Sequence, residues 1–303
     1  MAFRIRPDRA FTAEFRSVAQ SQLKQAIRFL EEQPDGPHEA IHDARKKFKR
    51  VRALYRLIHS DAKEFRQREN ERIRLVAKTL STVRDATALV ETVDYLASEA
   101  TSPEEFAALT FASKALTERR DRIASEESDL PAKMSGAAKV CRDAIEALDD
   151  LDLDDSPRKT ARRLSKAWRK ELSRAAADLV ACEEGAEAEA FHDLRKVGQT
   201  YWMHLSLLSD LWPSAMRAKQ REAKTLVDLL GHEHDLSVLT QVVNENPDLF
   251  GDSDTLALLI GAIIARQQEL RQAAIEQAKQ VFADDADTEA ARISLLWQEA
   301  ASR

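Results

Sequence analysis

Disulfide bridging, strand-rich architecture and membrane insertion all lack the residues they need in this chain of 303. Two cysteines, Cys141 and Cys182, are too few for a bridged framework, and both fall in stretches that read as helix. They are expected to be reduced core residues of a cytoplasmic protein. Only 7 glycines and 8 prolines leave few turn signals, which argues against the frequent turns of a β-rich fold. Helix formers dominate, so the expected class is all-α. The longest uncharged apolar run, Thr255 to Ala265, falls well short of the ~20 residues that span a bilayer. The segment Met1 to Phe11 alternates Arg with single apolar residues and has no apolar stretch of the kind an export signal needs. No membrane partner is expected. A glycine-rich phosphate loop is also absent.

What the chain has is charge, unevenly placed. The net charge of -6 would disfavour an anionic ligand if it were spread evenly. His42 to Arg84, however, holds 14 basic and 5 acidic residues, whereas Asp85 to Asp155 holds 7 and 18. Ser156 to Arg174 swings back, with 8 basic residues and a single acid. Local fields rather than the total govern the attraction of an anion.

Helical periodicity recurs in about six stretches per half. The breaks fall at Gln33 to Pro37, Ser102-Pro103, Leu130-Pro131, Asp154 to Pro157, Trp212-Pro213 and Asn246-Pro247. The acidic run Asp149 to Asp155 lacks the glycine and terminal Glu of a calcium loop and reads as a solvated linker between units 1–152 and 153–303. These units align at a constant offset of 150 residues. His42-Asp43-Ala44-Arg45-Lys46 matches His192-Asp193-Leu194-Arg195-Lys196, and Leu80, Asp85 and Leu89 match Leu230, Asp235 and Leu239. The pattern implies a duplicated helical unit, giving two bundles related by a pseudo-two-fold.

Advancing 100° per residue from His42 gathers Arg45, Lys46, Lys49, Arg50, Arg52 and Arg56 on one face. Ala44, Phe48, Val51, Tyr55 and Ile58 fall on the opposite face, and only Lys47 is badly placed. An ordinary solvated face mixes signs, because like charges destabilise a helix and opposite ones support it. Arg45 to Arg56 contains no acid, so an anion is expected there. The second copy keeps His192, Arg195 and Lys196 but has Gln199, Trp202 and Ser206 in place of Lys49, Arg52 and Arg56. A second cationic stripe, including Arg162, Lys166 and Arg169 with Arg158, Lys159 and Lys170, stands opposite Leu164, Trp168 and Leu172.

At His42 to Arg52, at His192 to Lys196, at Leu80-Ser81-Thr82-Val83-Arg84-Asp85 and at Leu230 to Asp235, the chain resembles the CHAD family, the conserved-histidine α-helical domain. The resemblance implies two four-helix bundles with extra helices, and a basic central surface that binds inorganic polyphosphate. The binding role carries over to His42, Arg45, Lys46, Lys49, Arg52, Arg56 and Arg84, and to His192, Arg195 and Lys196. Gln199, Trp202, Ser206 and His234 depart from the first copy, which implies an uneven site. Many relatives carry a triphosphate-tunnel domain marked by alternating Glu-x-Glu-x-Lys. No such strand is present, so a stand-alone binding module is expected, with no catalytic residue, cofactor or metal, located in the cytoplasm or on polyphosphate granules.

Three other readings use the same residues. His38-Glu39-Ala40-Ile41-His42 fits the zinc-protease pattern H-E-x-x-H. Against it, His38 follows Pro37 at a helix start, Arg45, Lys46 and Lys49 would repel a dication, and the repeat has Ala188 in place of His38. His232-Glu233-His234 reads as a polar helix end, since residues two apart do not face one another. A nucleic-acid backbone would suit the same cations, although no aromatics interleave the stripes and Trp202, Trp212 and Trp297 are expected in the core. A helical scaffold for acidic proteins is the third alternative.

Overall fold

The computed structural model describes residues 3–80, 82–185 and 187–302, with the side chains of 82 and 83 excepted. Among the described residues all regular structure is helical. Six helices occupy the first half: α1 (Phe11–Glu32), α2 (Pro37–Arg56), α3 (Lys63–Thr79), α4 (Thr82–Ser98), α5 (Pro103–Glu126) and α6 (Leu130–Glu146). Five occupy the second: α7 (Pro157–Gly185), α8 (Ala188–Leu207), α9 (Pro213–Glu245), α10 (Ser253–Val281) and α11 (Ala286–Ala301). The halves differ because α9 runs unbroken for 33 residues, about 50 Å, where the first half divides into α3 and α4. Ser81, at that division, lies outside the described residues.

Helix starts follow local chemistry. Pro37, Pro103 and Pro213 stand in first turns, where a missing N–H costs nothing. Ser102 accepts a hydrogen bond from the Glu105 amide, Asp252 from that of Thr255 and Asp285 from that of Thr288, each capping a helix N-terminus. Gly36, at φ 89°, supplies the left-handed turn from α1 into α2.

Helices α1, α2, α3 and α6 pack in a ring, and α7, α8 and α9 pack with α10 and α11. Their apolar faces form one continuous core that includes Phe15, Phe48, Tyr55, Trp168, Tyr201 and Trp297. The expected inner face of α2 is buried throughout: Ala44, Phe48, Val51 and Tyr55, with Ile58 just past the helix end, are each at most 1 % exposed. Leu164, Trp168 and Leu172 of α7 and both cysteines are buried as well. A second core joins α4 and α5 to the far halves of α9 and α10 through Leu89, Val93, Leu109, Leu116, Leu239 and Ile263. The long α9 therefore serves two cores, and its middle stretch holds α4 beside α8.

Two expectations change. The Asp149 to Asp155 run is fastened as well as solvated: Leu151 and Leu153 are buried while the aspartates around them are exposed. Asp155 accepts from the backbone N–H and hydroxyl of Thr12, both at 2.7 Å, and Arg16 donates to the Leu151 carbonyl at 2.5 Å. Trp212 is 54 % exposed because it precedes Pro213 at the head of α9, outside either core, whereas Trp297 is buried as expected and Trp202 is half-buried beneath Lys224. Among the described residues no helix is long and apolar enough to cross a membrane.

Candidate functional site

Helices α2 and α8 touch along their outer flanks, and buried His204 of α8 sits 2.9 Å from the Ala53 carbonyl of α2. That contact brings the two repeated motifs side by side. Lys46 reaches Asp43 at 3.0 Å and Lys196 reaches Asp193 at 2.7 Å, the same three-residue pairing in each motif. Arg45 donates to the Ala77 carbonyl at 2.6 Å and lies 4.0 Å from Asp85. In the second half Arg195 is nearest in charge to Asp235. The repeated spacing from each motif to its later aspartate sets Arg45 4.0 Å from Asp85 and puts Arg195 within the field of Asp235.

Lys49 stands at the centre. Its charge is felt against Arg45 and Arg84 from the first half and against Arg195 and Asp235 from the second. Crowding draws its ammonium away from water and the guanidiniums repel it, so its pKa falls to about 8. Part of the side chain stays exposed, and solvent screening tempers that shift. Lys49 makes no hydrogen bond or ion pair among the described residues, so at neutral pH it offers an uncommitted charge. Arg195 is half-buried, its guanidinium lowered by desolvation, and its Nε has no hydrogen-bond partner among the described residues.

The histidines lie in the same field. His42 is lowered by desolvation, then by Lys46 and Arg84. His192 is lowered by desolvation, then by Lys196 and Arg195, and its buried Nδ1 is without a partner among the described residues. Its ring stacks on His234 at 4.5 Å between centroids. Desolvation, followed by Arg195, His192 and Lys49, drives His234 down to about 3. These imidazoles are neutral at pH 7, and an anion laid across them would favour their charged forms.

Other expected residues have protein partners or point elsewhere. Arg84 grips Glu91 at 2.9 and 2.8 Å, and Arg52 donates to Asn70 at 3.0 Å. Arg56 is tied to Glu171. Arg50 turns away toward Gln22 at 3.5 Å and lies over the Phe3 ring at 5.3 Å, so it leaves the central surface. The α7 stripe divides: Arg169 pairs with Asp287 of α11, Arg162 and Lys166 are exposed, and Lys166 acts on Asp61. The α7 residues that reach the α2 side are Lys170, Glu171 and Arg174, which share a recess with Arg52 and Arg56.

His234 was not among the expected site residues. The run His232-Glu233-His234 lies within α9, not at its end. Its members diverge: His232 stacks on Tyr95 at 4.4 Å, Glu233 pairs with Arg271 at 2.8 Å, and only His234 meets the site. The available signal was spacing, because His234 follows His192 by the same 42 residues that separate Arg84 from His42. Among the described residues no three His, Cys, Asp or Glu side chains converge as metal ligands would.

The family profile of the CHAD domain matches residues 17–244. The fold is similar to the crystal structure of the CHAD domain from the plant Ricinus communis, with a TM-score of 0.65 at 18 % identity over 93 % of this chain and 95 % of that one. No curated protein matches the sequence. With three quarters of the chain under the profile and the whole fold alike, the chain belongs to the CHAD family.

Proposed function

We propose that the chain binds inorganic polyphosphate, without turning it over, on the surface where α2 and α8 meet. The carrying observation is the convergence of Arg45, Lys49 and Arg84 with His192, Arg195 and His234 around one uncommitted ammonium. A linear polyanion offers oxygens along its whole length, much as a nucleic-acid backbone does. Arginine takes two oxygens in plane, lysine acts as a mobile point charge, and histidine donates one more hydrogen bond. Nothing in this arrangement singles out a reacting atom. Among the described residues that line the groove with Lys49, Arg52, Arg56 and Lys196 there is no aromatic ring, and recognition by charge spacing favours polyphosphate over nucleic acid.

The test is a titration with polyphosphates of defined length at about 50 and 200 mM salt, with RNA and DNA of matched charge as competitors and analysis of chain length after prolonged incubation. Binding should strengthen with length and weaken by orders of magnitude across that salt range, and the polymer should be recovered intact. Salt-independent affinity, a nucleic acid that wins the competition, or shortened chains would each overturn the proposal.

A further inference from the structure

The groove between α2 and α8 does not fade into open surface at the C-terminal end of α2. Arg52 and Arg56 line both the groove, which also holds Lys49 and Lys196, and a recess of about 160 Å3 beyond it. Three helices wall that recess. Past the end of α2 stands half-buried His59, α3 supplies Arg66 and Asn70, α7 supplies Lys170, Glu171 and Arg174, and Tyr55 lies beneath. Five Arg and Lys side chains face one carboxylate, Glu171, which is already bound to Arg56. Arg174 is 3.6 Å from both Asp178 and Asp193. Arg66 and Lys170 make no side-chain hydrogen bond or ion pair among the described residues, and the Arg66 Nε is buried without a partner.

The matching place in the second half is built differently. At the 150-residue offset, Arg52, Arg56, His59 and Arg66 become Trp202, Ser206, Ser209 and Met216, and Lys170 becomes Gln20. There Gln220 donates to Ser206, a neutral contact where the recess has ionic ones. Of the five recess cations only Arg174 has a charged counterpart, Lys24, so the recess is built once rather than twice.

We infer that the recess receives the terminal phosphoryl group of polyphosphate, an inference that rests on polyphosphate being the ligand. A terminal phosphoryl resembles a phosphomonoester, with up to two charges and three free oxygens, whereas an internal one has a single charge and two free oxygens. An internal unit also needs an exit on each side, and α7 stands across the far side of the recess. Arg66 and Lys170 supply uncommitted donors where the extra oxygen and charge arrive. The bound chain is thereby anchored at one end, with its body laid along α2 toward His42 and Arg84.

The deciding comparison is between polyphosphate of one length with free ends and the same polymer with both terminal phosphoryls capped as alkyl esters. The full-length protein should bind the free-ended polymer roughly tenfold more tightly, the worth of one or two charge-assisted hydrogen bonds. Arg66→Gln with Lys170→Gln should reduce that preference to about twofold while affinity for the capped polymer is nearly kept. Arg162→Gln with Arg169→Gln removes the same charge elsewhere on the protein and should leave the preference intact. Equal binding of the two polymers by the unaltered protein would overturn the end-recognition model, as would a preference that survives the Arg66 and Lys170 changes. If neither polymer binds, polyphosphate itself is the wrong ligand.

Discussion

Arg56 of α2 and Glu171 of α7 are joined by two hydrogen bonds of 3.1 and 2.9 Å, with the Glu171 side chain only 8 % exposed. The pair clamps the first half of the chain to the second at the mouth of the phosphoryl recess. By helical phase Arg56 belongs with the ligand-binding cations, but its charge is largely spent on Glu171. Arg56→Ala would leave a nearly buried carboxylate unpaired. Because Arg56 itself is a quarter exposed, the expected loss of stability is about 2 to 3 kcal/mol, below that of a fully buried pair. Adding Glu171→Ala should recover part of the loss. Denaturant midpoints of the two single variants and the double variant form the cycle that measures the coupling, and additive losses would show that the clamp contributes nothing.

Lys49 and Arg195 should dominate binding. Lys49→Glu with Arg195→Glu places two acids at the meeting point of both halves and should weaken long polyphosphate by at least a hundredfold, with a salt slope smaller by about 2. Arg162→Glu with Arg169→Glu changes the total charge equally, yet Arg169 is occupied by Asp287 and Arg162 lies out on the surface. Its effect should stay within about tenfold, from the long-range field alone. Titration of both double variants at two salt concentrations separates a local site from a diffuse one. Equal losses would favour the diffuse field.

The pH dependence follows from the lowered imidazoles and the lowered Lys49 ammonium. His42, His192 and His234 are lowered in the free protein, His234 to about 3. A bound polyanion stabilises their protonated forms, so binding takes up protons and tightens as pH falls below about 6.5. Above about 8 Lys49 loses its charge and binding weakens. Stability of the free protein runs the other way. The unfolded chain, with histidines near 6.5, binds more protons than the folded one, so stability declines as pH drops through that value. Melting temperatures at pH 7 and 5.5, with and without polyphosphate, should show the free protein losing more than the complex. Proton uptake on binding, read by calorimetry in buffers of different ionisation enthalpy, should be positive at pH 6.

Much of this arrangement is legible from helical phase alone. The inner face of α2 from Ala44 to Tyr55 and the pairing of His42 with Lys46, Lys49 and Arg45 need only the 100° rotation and the placement of apolar residues. Phase cannot say which cations are already spent. Arg50, Arg56 and Arg169 all carry the right charge on a plausible face, and each meets a partner supplied by a distant part of the chain. Nor does phase separate α3 from α4, since neither Pro nor Gly marks the division at Leu80 and Ser81, while Gly231 at the matching place in α9 leaves that helix unbroken. Lys170 reaches the recess and Arg169 does not, because the 100° between them decides whether a side chain faces α2 or α11. That choice depends on how α7 is packed, which sequence periodicity leaves open.

Stability and binding should be separable at Glu289. Glu289 of α11 is 4 % exposed and takes three donors. Its Oε1 accepts from Trp168 Nε1 at 2.9 Å and from the Tyr201 hydroxyl at 2.7 Å, and its Oε2 accepts from Lys219 at 3.0 Å. Glu289→Ala strands two buried neutral donors and deprives Lys219 of one of its two carboxylates, at an expected cost of about 3 to 4 kcal/mol. Glu289→Gln keeps an amide oxygen that can serve Trp168 and Tyr201 together. Its NH2 then faces Lys219, which still holds Asp284 at 2.9 Å and is a third exposed. The Gln variant should therefore cost only about 1 kcal/mol. Both variants lie on the far side of α7 and α8 from Lys49, so the folded fraction should bind polyphosphate as the unaltered chain does. Denaturant midpoints paired with titrations at a temperature where both variants are folded give the comparison. Equal destabilisation by Ala and Gln would mean that the Lys219 contact, not the Trp168 and Tyr201 bonds, sets the energy of this cluster.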